Sequence, residues 1–154
     1  MNLTIDDITS EALVTLDLDS TDRWAAIDEL ADLLQADGRV TDKDAFVRAV
    51  RQREETGGTG MEMGIAIPHG KSAGVAKPSV AFGRSPTGVD FGAGDDTPAD
   101  LVFLIAAPEG ESDLHITLLS RLARKLVHDE FRDALRSAAT PADVIHIIRE
   151  EVTL

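Results

Sequence analysis

Residues 101–108 read LVFLIAAP. No polar side chain interrupts the run from Leu101 to Ala107. A strand with one wet face alternates apolar and polar residues, so this run predicts a central strand covered on both faces. The covering elements are legible on either side of it. TDRWAAIDELADLLQAD (21–37) places Trp24, Ile27, Ala31 and Leu34 on one helical face, with Ser20 or Thr21 as the cap and Gly38 at the stop. TDKDAFVRAVRQREE (41–55) predicts a second helix, with a capping box from Thr41 and Asp44 and with Phe46, Val47 and Val50 facing inward. A third helix is expected from about Asp113 to Val127, capped by Ser112, with Leu118, Leu119, Leu122 and Leu126 as its apolar face. DEFRDALRSA (129–138) suits a short fourth helix. TPADVIHIIREEV (140–152) suits a last one, with Thr140 as cap, Pro141 at the first position and Asp143 completing a capping box. Further strand material lies at GIAI (64–67), SVAFGRS (79–85) and, weakly, GVDF (88–91). The order helix, helix, strands, helix, helix predicts an α/β or α+β sandwich with helices on a mixed sheet. The length suits one domain over 1–154.

Composition removes several classes of function. There is no cysteine, so disulfides, thiolate metal sites and a cysteine nucleophile are excluded from these residues. The formal net charge of −13 argues against nucleic acid, whose phosphates are bound by clustered Lys and Arg. The start, MNLTIDDITS, has acids where a signal peptide is basic, and no run is long enough to span a bilayer, so a cytoplasmic location is expected. The acidity is spread along the chain. It reads as a solubility device or as adaptation to high salt, where a screening length of roughly 3 Å at about 1 M weakens self-repulsion.

Chemistry concentrates in GTGMEMGIAIPHGKS (58–72). His69 follows a short apolar strand and is expected to open a loop, where α/β folds place functional groups. Pro68 stiffens the approach, and Gly70 has no side chain to screen the ring. A backbone carbonyl near one ring nitrogen would fix the tautomer and leave the other for chemistry. Spacing alone leaves open an unreactive surface histidine. His115 shares the leucine face of the third helix near its start, as a cleft-rim group or as a core-edge histidine. Arg53 ends the second helix beside the glycine-rich segment, as a phosphate clamp or as a surface arginine paired with Glu54 or Glu55. His128 suits a helix C-terminus, and His146 the flank of an amphipathic helix. Zinc held by His69, His115 and an Asp is disfavoured, because no H-x-x-x-H or H-E-x-x-H spacing occurs. No G-x-S-x-G elbow and no P-loop ending are present. Backbone N–H groups of the glycine-rich segment remain candidates for holding an anion.

Taken together, REETGGTGMEMGIAIPHGKS (53–72) resembles the signature of the fructose/mannitol-type enzyme IIA domain of the sugar phosphotransferase system. APEGESDLHITLLSRLARKL (107–126) resembles that family's second histidine segment. The resemblance implies a mixed sheet of about five strands flanked by helices. It implies that His69 accepts a phosphoryl group from the phosphocarrier protein HPr, that His115 supports it, and that Arg53 lies beside it. Thr59, Gly60 and Gly70 are then the candidate phosphoryl-binding positions. No metal or cofactor is expected. The onward acceptor is a cysteine of a IIB component, expected as a separate polypeptide, and the membrane enters only through a IIC permease. Met61, Glu62 and Met63 depart from the family pattern, and Glu62 would repel a phosphohistidine unless it points away. A second reading is a nitrogen-type regulatory enzyme IIA that signals by phosphorylation-dependent protein binding. A third is an acidic scaffold with an unreactive His69.

Overall fold

A computed structural model describes residues 4–110 and 114–153, with backbone alone at 114 and 115. The LVFLIAAP run lies inside strand β6 (Ala99–Pro108), which pairs antiparallel with β5 (Ser79–Val89) on one side. On its other side it pairs in parallel with two short strands, β3 (Ile65–Ala66) and β4 (His69–Ser72). β1 (Val14–Thr15) adds to β5 in parallel, and β2 (Gly60–Met61) adds to β3 antiparallel. The sheet is mixed, as expected, but has six strands and not five.

Both faces of β6 are covered. Val102, Leu104 and Ala106 join one core with α2 (Arg23–Ala36) and α3 (Lys43–Glu55). Leu101, Phe103 and Ile105 join a second core with α4 (Leu114–Leu126), α5 (Asp129–Ser137), α6 (Pro141–Glu151) and the short N-terminal α1 (Ile5–Ile8). Side chains of a strand alternate between faces, so a strand buried twice must be apolar at every position. Each such large side chain removed from water contributes about 1.5–3 kcal/mol. Phe103 also packs against Phe82, the rings tilted by 49° with centroids 4.9 Å apart.

The helix starts correct the sequence reading in two places. Asp22 caps α2 by accepting from the Trp24 N–H, while the Ser20 hydroxyl donates to Glu29. Asp42 caps α3 by accepting from the Ala45 N–H. Thr41 stands one residue before the cap, with its N–H and hydroxyl both donating to the Gly74 carbonyl. The α6 capping box of Thr140 and Asp143 forms as expected. Gly38 ends α2 at φ +76°, a conformation that favours glycine. Ser112 and Asp113, expected to open α4, lie outside the described residues. SVAFGRS and the Gly88–Val89 half of GVDF, read as two strands, are one strand with a register irregularity between Arg84 and Val89, and Asp90 and Phe91 lie beyond its end. The residues before α2 also form a 3-10 turn at Glu11–Leu13 and the two-residue β1.

The acidic surface should make stability depend on salt. Lys43 bridges Asp28 and Asp32 at 3.0 and 2.6 Å, and the Asp32 hydrogen bond pushes its ammonium pKa up. With a net charge of −13, carboxylates far outnumber such cations, and screening should relieve their repulsion. Unfolding temperature should therefore rise with KCl into the molar range. Trp24, the single tryptophan, has the Arg23 and Arg51 guanidinium carbons 5.8 and 5.5 Å from its ring centroid and can report the transition. A flat or falling midpoint would remove the salt-adaptation reading.

Candidate functional site

The site grows from a break in the sheet edge. β3 and β4 run along the same side of β6 with an unchanged register, separated only by Ile67 and Pro68. Pro68 has no N–H, and it biases Ile67 towards extended backbone. The ladder continues through the break by the Pro68 carbonyl, which accepts from the Ile105 N–H at 3.0 Å. The Ile67 carbonyl instead meets His69 Nδ1 at 3.0 Å. A carbonyl can only accept, so Nδ1 carries the proton and Nε2 carries the lone pair of the neutral ring. The expected carbonyl partner is thus found, but His69 opens strand β4 and not a loop. The half-buried ring is held by strand geometry on both sides of the break.

Arg53 stands in the last turn of α3. Its Nη1 donates to the Gly57 carbonyl at 2.7 Å and to the Thr56 hydroxyl at 3.3 Å. It is not paired with Glu54 or Glu55. Glu54 is buried, and its carboxylate receives the Thr59 N–H, the Thr59 hydroxyl and Arg23. Taking Glu54 only as a surface partner for Arg53 therefore missed its burial. The signal was present: position 54 follows Val50 by four and Val47 by seven, on the buried stripe of α3.

Arg53, Gly58, Thr59, Gly60, Met61, Ile67 and His69 line an open cleft of about 470 Å³, closed on the far side by Leu119, Ser120 and Ala123 of α4. Position 115 lies one helical turn before Leu119; the His115 side chain lies outside the described residues. The structure thus brings Arg53, Thr59, Gly60 and His69 to one cleft. It does not bring Gly70, which is buried under α3: a Cβ there would stand 2.7 Å from Val50 Cγ2. The Thr59 and Gly60 N–H groups, expected to hold an anion, are already donated, to Glu54 and to the Phe91 carbonyl. Gly58 and Gly60 serve close packing instead, since a Cβ at either would fall 2.2 or 2.8 Å from the Phe91 oxygen. Met61 faces the cleft, whereas Glu62 is exposed in the β2–β3 turn and does not line it.

The model of the family described as "Phosphoenolpyruvate-dependent sugar phosphotransferase system, EIIA 2" matches residues 7–151. The chain belongs to this family. It is 40% identical over 148 residues to the PTS system fructose-specific EIIA component of Haloferax volcanii, covering 96% of each chain. It is 39% identical over 146 residues to the fructose-specific EIIABC component of Bacillus subtilis, covering 95% of this chain but only 23% of that longer protein. Among solved structures, the nitrogen regulatory protein IIA-Ntr of Neisseria meningitidis superposes with a TM-score of 0.84 at 28% identity, over 94% of this chain and 97% of that one.

The other two histidines of this EIIA chain lie elsewhere. His128 and His146 are exposed and line a separate cleft of about 740 Å³ between the end of α4, α5 and α6. His128 is the N-cap residue of α5. Among the described residues, no group of three His, Asp or Glu side chains is arranged to hold a metal. No helix among them is long and apolar enough to cross a membrane.

The β2–β3 turn of the EIIA chain is anchored from outside the cleft. Met63, at φ +71°, donates its N–H to Asp95 at 3.1 Å, and its carbonyl accepts from Arg136, which is also paired with Asp100. Hydrogen bonds from the Thr97 side chain, and then from the Met63 and Thr97 backbone, hold the Asp95 pKa below its ordinary value. A depressed carboxylate stabilises the folded state above the unfolded pKa, about 3.9, and loses that contribution as pH falls through the folded value. Hydrogen exchange at the Met63 amide should thus stay slow from about pH 7 to 5 and quicken relative to core amides below about 4. Equal protection at all pH values would contradict the anchor.

Proposed function

We propose that this chain is the phosphocarrier EIIA component of a sugar phosphotransferase system, with fructose as the sugar. It takes a phosphoryl group from phosphorylated HPr onto His69 and passes it to a cysteine of a IIB component. A membrane IIC unit then uses it for uptake of the sugar. The observation that carries this reading is the His69 Nδ1 contact with the Ile67 carbonyl inside the Arg53 cleft. It assigns the lone pair, and hence nucleophilic character, to Nε2. In the first transfer that lone pair forms a bond to phosphorus as the N–P bond of the donor phosphohistidine breaks, its electron pair returning to the donor ring. Charge spreads over three phosphoryl oxygens, which need donors positioned beforehand. Arg53 contacts the loop through Nη1, so the rest of its planar fork can address them. His115, one turn before Leu119 of the cleft wall, is assigned the second supporting role. In the second transfer a cysteine thiolate attacks phosphorus and Nε2 leaves with its electron pair.

The fructose assignment is supported by the names of the Haloferax and Bacillus relatives, and the IIB acceptor by the EIIABC arrangement of the latter. Docking is transient, with apolar contact from Met61, Ile67 and Leu119 around His69. The test is transfer of labelled phosphoryl groups from phosphorylated HPr through this protein to a fructose-type IIB. Label that reaches IIB supports the proposal. The likeness to IIA-Ntr favours a second reading, regulation by phosphorylation-dependent binding. It would be upheld by label that stays on this protein with every IIB, together with capture of a protein partner that changes on phosphorylation.

A further inference from the structure

We propose that Glu54 is a positioning residue for His69, acting through Thr59 and Ile67. This rests on the reading of His69 as the phosphoryl acceptor. The Glu54 carboxylate, fully buried, receives the Thr59 N–H at 3.2 Å and the Thr59 hydroxyl. The Thr59 carbonyl accepts from the Ile67 N–H at 3.2 Å. The Ile67 carbonyl accepts from His69 Nδ1 at 3.0 Å. A continuous polar relay therefore runs from the carboxylate to the reactive ring. Its far end is fixed as well: Arg23 Nη1 lies 3.5 Å from Glu54, and Arg23 Nε donates to the Asp90 carbonyl at 3.0 Å.

Position 54 continues the stripe of Phe46, Val47 and Val50, where an apolar side chain would spare the carboxylate's own desolvation but leave the buried Thr59 N–H and hydroxyl unpaired. What an apolar side chain cannot do is accept two hydrogen bonds from Thr59. Those bonds fix the Gly58–Gly60 wall and, through it, the plane of the 59–67 contact. The Ile67 carbonyl then aims at Nδ1, which keeps the ring in the Nδ1–H tautomer and turns Nε2 towards the cleft. The other links are backbone groups that any residue supplies, so Glu54 and Thr59 are the two side chains on which the relay depends.

The experiment compares Glu54→Gln, Thr59→Val and Thr59→Ser with Val144→Ala, a buried change on α6 that destabilises without touching the relay. Two quantities are read: the His69 tautomer by ¹⁵N NMR, and the rate of phosphorylation by phosphoramidate, a small donor that needs no docking. Glu54→Gln and Thr59→Val should move His69 from the Nδ1–H form towards a mixture and slow phosphorylation roughly 10- to 100-fold. Thr59→Ser should restore both, and Val144→Ala should leave both unchanged at a comparable loss of melting temperature. Wild-type tautomer and rate in Glu54→Gln and Thr59→Val would overturn the proposal, as would an equal shift in Val144→Ala. If Glu54→Gln does not fold, Thr59→Val decides alone, since it cuts the hydroxyl link and leaves the Arg23–Glu54 pair in place. Failure of the wild-type protein to take up any phosphoryl group would instead strike the phosphocarrier reading, and the tautomer comparison would still decide the role of Glu54.

Discussion

His69→Ala protein will take up no phosphoryl group from phosphorylated HPr, while folding as the wild type does. The loss should be complete, because substitution removes the nucleophile itself and no other imidazole among the described residues lines the cleft. The Arg53 guanidinium is a hydrogen-bond donor with no acceptor lone pair to attack phosphorus, and the Thr59 and Gly60 N–H groups are committed to Glu54 and Phe91. The fold should survive, since the ring is half-buried at the start of β4 and belongs to neither apolar core. Wild-type Trp24 emission and melting would confirm that. Acid-labile phosphate on the His69→Ala protein would mean that His115, His128 or His146 is the acceptor, and the proposed mechanism would fall.

Arg53→Ala should slow transfer about 10²- to 10³-fold, the usual loss when one positioned donor to developing charge is removed. Arg53→Lys should recover only part of this, because a single ammonium cannot hold the Gly57 carbonyl and two phosphoryl oxygens in one plane. Stability should fall by less than about 1 kcal/mol, since the substitution removes only exposed hydrogen bonds at a helix end. Transfer by Arg53→Ala within a factor of two of wild type would show that Arg53 only caps the helix.

Much of this could be read from the chain, and the reasons are physical. The unbroken apolar run at 101–107 suited a strand buried on both faces, and β6 is one. The faces of α2 and α3 followed from residue spacing, because a helix repeats often enough to reveal its period. β1 and β2 did not, since two residues carry no period, and β3 was legible only as the short apolar run GIAI. Helix caps were misplaced by one or two residues because an aspartate, an equally good acceptor, stands next to the expected hydroxyl and takes the cap position, Asp22 for α2 and Asp42 for α3. At the site, the Pro-His-Gly stretch announced His69, but the role of its neighbours depended on contacts distant in sequence. Gly70 faces Val50, Gly58 and Gly60 face Phe91, and Thr59 turns inward to Glu54. Glu54 itself was legible from the buried stripe of α3 and was obscured by the charges around it.

The most direct test of the central claim is a ³¹P–¹⁵N correlation spectrum of the phosphorylated wild-type protein with labelled histidine. One phosphorus should be bonded to Nε2 of His69, with Nδ1 still protonated against the Ile67 carbonyl. Phosphorus on Nδ1, or on any histidine other than His69, would contradict it.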